Sequence, residues 1–315
     1  MQINFVKSDL PDEGALVVGT AEGEDLTGLL EELDGKTKGA VKRALKAARF
    51  TGAKGQVVEL LAPTGLALDR ALIVGLGKAD KFDGAAAESL GATAVARLLT
   101  SGEKTVTVVL QAPKRVSDDE EAEFAARVAQ GAVLRSYRFD QYRTTQKKTE
   151  KPSLAKVNIA VGDPADAKKA WRSAEAVANA VFFTRDLVTE PPNVLYPEEF
   201  AKRARKLEDL GLEVEVLGEK EMAKLGMHTL LAVGHGSERE SQLLVMQWKG
   251  AKDKNAQPIA FVGKGVTFDT GGISIKPAAG MDAMKYDMGG AAAVTGLMHA
   301  LAGRKANAAE LHGRA

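Results

Sequence analysis

The sequence predicts an α/β protein of two α/β domains with mixed, largely parallel sheets, joined by a long helix. Short apolar runs rich in β-branched residues alternate with longer segments of helical spacing along the chain. The chain has 315 residues, which is enough for about two domains. We therefore expect an N-terminal α/β domain at 1–160, a connecting helix within 161–192 and a second α/β domain at 193–315.

The first half of the chain shows this alternation clearly. The run TVTVVL at 105–110 is the most strand-like segment. Ser117 is followed by Asp118, Asp119 and Glu120, which predicts a helix N-cap because acidic side chains complement the dipole of the first turn. Predicted strands lie at 2–6, 14–19, 56–62, 70–75, 105–110 and 156–161, predicted helices at 26–50, 84–100 and 118–137, and an exposed loop or hairpin edge at 141–153.

A long helix predicted at 164–188 separates the two halves. It carries an apolar stripe and must end before Pro191 and Pro192, since proline cannot continue a helix. We interpret this helix as a connector, although an ordinary core helix of the second domain would show the same pattern. Beyond it we predict helices at 197–210, 219–225 and 287–301 and strands at 213–217, 226–236, 243–248 and 259–263.

Composition and motifs argue against several functions. The net charge of +1 provides no field that attracts nucleic acid or anionic lipid, and the absence of cysteine excludes disulfides and thiolate metal sites. We expect a cytoplasmic protein without signal peptide or membrane anchor, because the N-terminus lacks a long apolar segment. The pair Gly75 and Gly77 is too weak a motif for a nucleotide site, and no GxSxG is present.

The stretch VGKGVTFDTGGISIKPAAGMDAMKYDMGGAAA at 262–293 combines seven glycines with three aspartates and three lysines. It joins the end of a predicted strand to the start of a predicted helix, where ligands bind in open α/β sheets. A phosphate cradle is an alternative, but the stretch contains neither GxxxxGK[ST] nor a GxGxxG that opens a helix. Buried carboxylates need partners, and several convergent carboxylates suit hard divalent cations. His228, His235, His299 and His312 lack ligand spacing, and we expect them to be packing or loop residues.

Lys264, Asp269, Lys276 and Asp287, with the string Thr270-Gly271-Gly272, resemble the first half of the active-site signature of the leucyl aminopeptidases, the cytosol aminopeptidase family. The resemblance extends over most of the chain. It implies that Lys264, Asp269 and Asp287 are metal ligands and that Lys276 is a catalytic lysine. Met284 matches a residue that lines the pocket for the N-terminal side chain of the substrate.

The resemblance also implies cofactors and partners. It implies two divalent metal ions, Mn²⁺ or Zn²⁺, that activate a water and polarise the peptide carbonyl. A lysine binds a metal only as a neutral amine, so the ion must lower the pKa of Lys264. Lys276 would remain charged and stabilise the developing oxyanion. The expected substrate is a peptide with leucine or a similar residue at its N-terminus, and the expected assembly is a homo-hexamer.

One part of the family pattern is absent. The second family signature, Asn-Thr-Asp-Ala-Glu-Gly-Arg, supplies further carboxylates and an arginine, and Glu310 is the only acidic residue after Asp287. We therefore expect an incomplete catalytic domain, from a truncated or frameshifted relative of the full enzyme. The segment 307–315 has a single large apolar residue, Leu311, so we expect no strand after the helix that starts at Asp287. A non-catalytic protein that acts in assembly or in ligand binding is the alternative function.

Overall fold

A computed structural model of the chain describes residues 1–111, 116–253, 255 and 257–306, and the backbone of 311–314. The chain divides into two compact units, Met1–Glu175 and Ala176–Ala315. The division falls within one helix, Pro164–Thr189, which occupies the predicted connector region. The narrower ranges 1–160, 161–192 and 193–315 stay predictions.

The first unit is an α/β unit around a six-stranded sheet. Its elements are β1 (Gln2–Val6), β2 (Ala15–Thr20), α1 (Gly28–Lys36), α2 (Ala40–Ala47), β3 (Val57–Leu61), β4 (Arg70–Gly75), α3 (Gly84–Leu98), β5 (Thr105–Leu110), α4 (Asp118–Ser136), β6 (Lys156–Ala160) and the start of α5 (Pro164–Thr189). The strand order is β1-β6-β5-β2-β4-β3, and of the described strand pairs in this sheet only β3–β4 is antiparallel. This confirms the predicted mixed, largely parallel sheet.

Helices cover both faces of β2. Leu16 and Val18 point to one face and pack in a core with Leu30 and Leu33 of α1 and with Val41 of α2. Gly19 points to the other face, where an added Cβ would lie 2.9 Å from Leu90 of α3. The alternation of the β-strand thus separates α1 and α2 from α3. This two-sided cover explains why all six residues of β2 are buried.

The predictions for two helices of this unit have different outcomes. Ser117 caps α4, since its side chain accepts from the Glu120 N–H and the Glu120 carboxylate accepts from the Ser117 N–H. That N-cap prediction is confirmed. The single helix predicted at 26–50 is wrong, because the chain forms α1 and α2 separately. Lys38 and Gly39 adopt positive φ angles of 52° and 80° between them, a conformation that a continuous α-helix does not allow.

The second unit holds the remainder of α5 and a four-stranded sheet. Its further elements are α6 (Pro197–Arg205), a 3₁₀ turn (Lys206–Leu210), β7 (Glu213–Leu217), α7 (Glu219–Lys224), α8 (His228–Gly234), β8 (Leu243–Trp248), β9 (Ile259–Val262), a 3₁₀ segment (Met281–Met288), α9 (Gly289–Gly303) and β10 (Leu311–Arg314). The strand order is β7-β8-β10-β9. Strands β7, β10 and β9 run in one direction and β8 runs against them.

Two predictions for this unit are wrong. The segment 226–236 was predicted as a strand, but it contains helix α8. Its apolar run is too short for periodicity to separate strand from helix, and leucine and alanine favour a helix. A strand also follows α9, because β10 pairs with β8 on one side and β9 on the other. Two neighbouring strands can recruit a backbone segment regardless of its apolar content. Glu310 and the side chain of His312 lie outside the described residues.

Helix α9 anchors the core of the second unit. Met288, Ala291, Ala292 and Met298 are buried and pack in one cluster with Met246 of β8. This packing holds the N-terminal end of α9 against the sheet, next to the glycine-rich segment. Each helix in the described part of the chain is too short or too polar to cross a lipid bilayer.

Candidate active site

A close backbone crossing fixes the position of the candidate site. Strand β9 ends at Val262, and the following Gly263 lies against Gly290 and Ala291 in the first turn of α9. A Cβ at Gly263 would collide with the backbone of both residues, so only glycine fits there. The Ala291 N–H donates to the carbonyl of Lys264 at 2.9 Å. The crossing therefore brings Lys264 to the residues just before α9.

The structure brings all five predicted site residues together. Lys264 Nζ forms an ion pair with Asp287 Oδ2 and lies 3.4 Å from the Asp287 carbonyl oxygen. Lys276 Nζ lies 2.9 Å from Asp269 Oδ2 and 3.1 Å from Met284 Sδ. The two pairs are contiguous, because the carboxyl groups of Asp269 and Asp287 also interact with each other. The four side chains thus form a single connected cluster, with the two aspartates at its centre and a lysine at each end.

The loop that carries Asp269 is shaped by its own glycines. Gly271 adopts φ of +94°, and its N–H donates to Asp269 Oδ1 at 2.9 Å. The Lys276 N–H closes the loop by donating to the Thr270 carbonyl at 2.9 Å. A side chain at Gly271 would meet the Ser274 carbonyl, so the sequence Thr270-Gly271-Gly272 is what permits this tight return.

The surroundings of Asp269 favour its charged form. The hydrogen bond from Lys276 has the largest effect and holds the pKa of Asp269 below its ordinary value, and the Gly271 N–H lowers it further. The Asp287 carboxyl group makes a smaller contribution in the same direction. Asp269 is therefore a carboxylate at neutral pH, as a ligand for a hard cation must be.

Asp287 has an incompletely satisfied carboxylate. Its Oδ2 is buried and contacts Lys264 Nζ, but it accepts no hydrogen bond of acceptable geometry from the described residues. Buried carboxylate oxygens usually accept hydrogen bonds or bind a cation. Two adjacent carboxylates and a lysine amine fit part of a divalent-cation site. Within the described ranges, no group of three or more histidine, aspartate or glutamate side chains converges, so this donor set is smaller than a two-metal centre needs.

The other candidate ligands lie elsewhere. His228 begins α8 and His235 follows it, and both are exposed. His299, on α9, packs with its ring centroid 5.6 Å from that of Phe183. One contact was not anticipated from the sequence: Lys285 Nζ donates to the carbonyl of Thr189 at 3.3 Å and so ties the site segment to the end of α5. The sequence gives no sign of this contact, because Lys285 lies inside the predicted metal-binding segment and Thr189 lies 96 residues before it.

Both units of the chain match domains of a single class of peptidase. The N-terminal domain of the cytosol aminopeptidase family matches residues 17–146, and its catalytic domain matches residues 182–313. The chain therefore belongs to the cytosol aminopeptidase family.

Individual relatives agree with this assignment. The chain is 54% identical to a probable cytosol aminopeptidase of Caulobacter vibrioides over 97% of its own length and 61% of the relative. It is 47% identical to the Brucella anthropi counterpart over 96% of its length and 60% of the relative. The chain thus spans about three-fifths of the length of these curated relatives.

Solved structures share the fold. A mutant of tomato leucine aminopeptidase superposes with a TM-score of 0.85 at 27% identity, covering 100% of this chain and 62% of that one. The bottromycin maturation enzyme BotP in complex with Mn superposes with a TM-score of 0.74 at 30% identity, covering 96% of this chain and 58% of that one.

Proposed function

We propose that this chain carries the N-terminal domain and one part of the catalytic site of a metal-dependent aminopeptidase that releases leucine-type N-terminal residues from peptides. Lys264, Asp269 and Asp287 are the proposed metal ligands, Lys276 the proposed catalytic lysine, and Met284 the proposed lining of the substrate pocket. The observation that carries the proposal is the connected Lys264–Asp287 and Asp269–Lys276 cluster, with the buried Asp287 Oδ2 at its centre. The family membership supplies the reaction class.

When bound, two divalent ions, Mn²⁺ or Zn²⁺, would supply an activated water and a polarised peptide carbonyl. The residues of this chain have separate tasks around them. Asp269 and Asp287 present carboxylate oxygens, and Lys264 has to give up its proton before its amine can act as a ligand. Lys276, whose Nζ pairs with Asp269, can stabilise an oxyanion on the substrate.

Metal binding by the purified chain tests the ligand assignment. We expect Asp269→Asn and Asp287→Asn each to weaken Mn²⁺ binding about tenfold or more in titration calorimetry, because each removes a charged oxygen ligand. Asp282→Asn is the matched control, since Asp282 is an exposed aspartate of the same segment with no proposed ligand role. Equal affinities for all three variants and the parent chain would contradict the assignment.

The protonation of Lys264 allows an independent check. Lys264 pairs with Asp287 as an ammonium, so cation binding should release about one proton as the amine becomes neutral. Calorimetry in two buffers of different ionisation enthalpy measures this release, and Lys264→Met should abolish it. Mn²⁺ binding without proton release in the parent chain would remove Lys264 from the ligand set.

A non-catalytic role in assembly or ligand binding is the second candidate, and one observation favours it. Only two carboxylates converge in the described cluster, which provides few ligands for two ions. Hydrolysis of a leucyl reporter by the 315-residue chain with Mn²⁺ or Zn²⁺ separates the candidates. Turnover that is lost in Lys276→Met would refute the non-catalytic role, whereas metal binding without turnover would support it.

The proposed setting follows from the same family. We propose a cytoplasmic homo-hexamer that acts on peptides. Light scattering on the purified chain tests the hexamer, and a monomeric mass at micromolar concentration would refute it for this chain. Fractionation of cells that produce the chain tests the location.

A further inference from the structure

A cleft in the first unit lies far along the chain from the glycine-rich segment. It has a volume of about 510 Å³, which falls in the range of ligand pockets, roughly 300–1,000 Å³. It opens at the carboxyl end of β2, where the loop after that strand meets helix α2 and the residues that follow α2. The lining consists of Thr20, Ala21, Glu22, Gly23, Glu24, Asp25, Leu26, Lys42, Leu45, Phe50 and Thr51.

The position of the cleft in the sheet is one that favours ligands. From β2 the chain proceeds to β3 and β4 on one side, and then crosses to β5 on the other side of β2 before it continues to β6. The connections thus diverge at β2 and β5. Such a reversal leaves a crevice outside the carboxyl ends of the strands, where ligands of open α/β sheets bind.

Thr20 supplies a second, independent observation. The residue is only 7% exposed, and its hydroxyl has no hydrogen-bond partner among the described residues. Its side chain points to the same face as those of Leu16 and Val18, two and four residues earlier, which is the face covered by α1 and α2. Thr20 is therefore a largely buried residue whose hydroxyl faces the cleft without a protein partner in the described part of the chain, and a polar group of a ligand could accept from or donate to it.

The rim of the cleft is fixed by backbone hydrogen bonds. The N–H groups of Glu22 and Gly23 donate to the carbonyls of Gly77 and Thr51 at 2.9 and 3.0 Å. The Gly77 N–H donates to the Gly52 carbonyl at 2.9 Å. The loop after β2 is thereby tied to two neighbouring segments, so the cleft exists before a ligand arrives and little ordering entropy opposes binding.

The lining specifies the chemistry of the ligand. Glu22, Glu24 and Asp25 place carboxylates on one side, and Lys42 contributes an ammonium group from α2. Lys42 Nζ stays 3.9 Å from Asp34 Oδ2 and is largely exposed, so it is available for a second anion. Leu26, Leu45 and Phe50 supply apolar surface between the charges. We propose that this cleft binds a free α-amino acid with an apolar side chain.

The three groups of such a ligand match the three parts of the cleft. Its ammonium group faces the acidic loop, its carboxylate faces Lys42, and its side chain lies on the apolar surface of Leu45 and Phe50. The Thr20 hydroxyl donates to the ligand carboxylate or accepts from its ammonium group. The cleft shares no lining residue with the proposed metal centre, and its occupation does not require a metal.

Equilibrium dialysis with labelled L-leucine tests the proposal on the full 315-residue chain in the presence of EDTA. Repeating the measurement in an Asp287→Asn background, which lacks one proposed metal ligand, distinguishes leucine binding in the cleft from leucine binding at the proposed metal centre. We expect saturable binding that weakens about tenfold in Thr20→Val and in Lys42→Gln, the loss of one hydrogen bond or one ion pair. Lys46→Gln, an exposed lysine of the same helix outside the cleft, should leave the affinity unchanged.

Competition by two leucine analogues and the melting temperature of Thr20→Val provide further tests. Leucinol lacks the carboxylate and 4-methylpentanoate lacks the ammonium group, so each should compete at least about tenfold more weakly than leucine. Thr20→Val keeps the shape of the side chain and removes an unpartnered hydroxyl, so its melting temperature should not fall. No saturable leucine binding, or equal affinity in Thr20→Val, Lys42→Gln and the parent chain, would overturn the proposal.

Discussion

Two strands of similar apolar composition, one in each sheet, differ in how far their side chains are buried. β2 (ALVVGT) has six buried residues because helices cover both of its faces. β9 (IAFV) is at least as apolar, yet Ile259 and Val262 are 53% and 80% exposed. An apolar run therefore indicates only that a segment can be buried. Whether it is buried depends on the helices and strands that pack against it. The candidate metal site lies at the end of the exposed strand.

The same contrast extends to the loop after β9. Ile273 and Ile275 are among the most exposed large apolar side chains of the described chain, and they follow the Asp269 turn. Among the described residues of the first unit, the most exposed large apolar side chain is that of Leu61, on the edge strand β3. The second unit thus leaves apolar side chains exposed around the loop of its candidate site, whereas in the first unit Leu61 is exposed at the edge of the sheet.

A matched pair of side-chain substitutions, one in β4 and one in β9, tests this difference in burial directly. Leu72→Ala, in β4, should lower the free energy of unfolding by about 2–5 kcal/mol, because Leu72 is fully buried and its removal leaves a cavity. Val262→Ala, in β9, should change it by less than about 0.5 kcal/mol, because Val262 is 80% exposed. Urea titration measures both changes.

The two tryptophans make the measurement specific for each unit. Trp171 lies in the first unit and Trp248 in the second, and the chain has no others. Trp248→Phe leaves a reporter for Leu72→Ala, and Trp171→Phe leaves a reporter for Val262→Ala. A loss of more than about 2 kcal/mol in Val262→Ala would show that β9 is covered in solution and would refute the contrast.

A pair of glycines provides the next largest effect and concerns the site directly. Gly263→Ala should destabilise the second unit by about 1–3 kcal/mol, because the new Cβ collides with the backbone of Gly290 and Ala291. Gly265→Ala is the matched control, since its Cβ would lie 3.4 Å from the Ala291 side chain, an ordinary contact. The Trp248 signal in the Trp171→Phe background reports both.

The two variants also separate site geometry from stability. Gly263→Ala should weaken Mn²⁺ binding in calorimetry, because a shifted crossing moves Lys264 away from Asp287. Gly265→Ala should retain both stability and affinity. Full stability of Gly263→Ala, like that expected of Gly265→Ala, would mean that the crossing tolerates a side chain.

Much of the fold was predictable because local signals agree with it. The strand at 105–110 and the Ser117 cap follow from β-branched residues and capping chemistry that operate within a few residues. One of the wrong predictions of the second unit, the absence of a strand after α9, depends on distant parts of the chain. β10 forms because β8 and β9 both offer hydrogen bonds to it, and no local pattern carries that information.

For the candidate site too, some features were predictable from the sequence and others were not. The residue types and glycines of 262–293 predicted which side chains belong together, and the structure places Lys264, Asp269 and Asp287 in one cluster. The roles of these side chains as ligands stay predictions. The cleft beside Thr20 could not be predicted, because residues 26–50 were assigned to one helix and the break at Gly39 turns α2 so that Lys42 and Leu45 face the loop after β2.

The smallest expected effect concerns a buried imidazole in the second unit. His299 Nδ1 is buried without a hydrogen-bond partner among the described residues, and burial lowers the pKa of His299 below its ordinary value of 6.5. The unfolded chain therefore takes up a proton near pH 6.5 that the folded chain accepts only at lower pH. As a consequence, stability should decrease as the pH falls through this range. The first unit shows no buried histidine in its described core, so this sensitivity should belong to the second unit alone.

His299→Gln isolates the contribution, because glutamine does not titrate. Between about pH 7.5 and pH 5.5, the parent chain should lose up to about 1 kcal/mol more stability than the variant, measured by urea titration with Trp248 as the reporter. Trp171, observed in a Trp248→Phe background, should show no difference between the parent chain and the variant. An identical pH dependence of the Trp248 transition in both proteins would mean that the imidazole is hydrated in solution, and that the core under α9 is as open to water as strand β9.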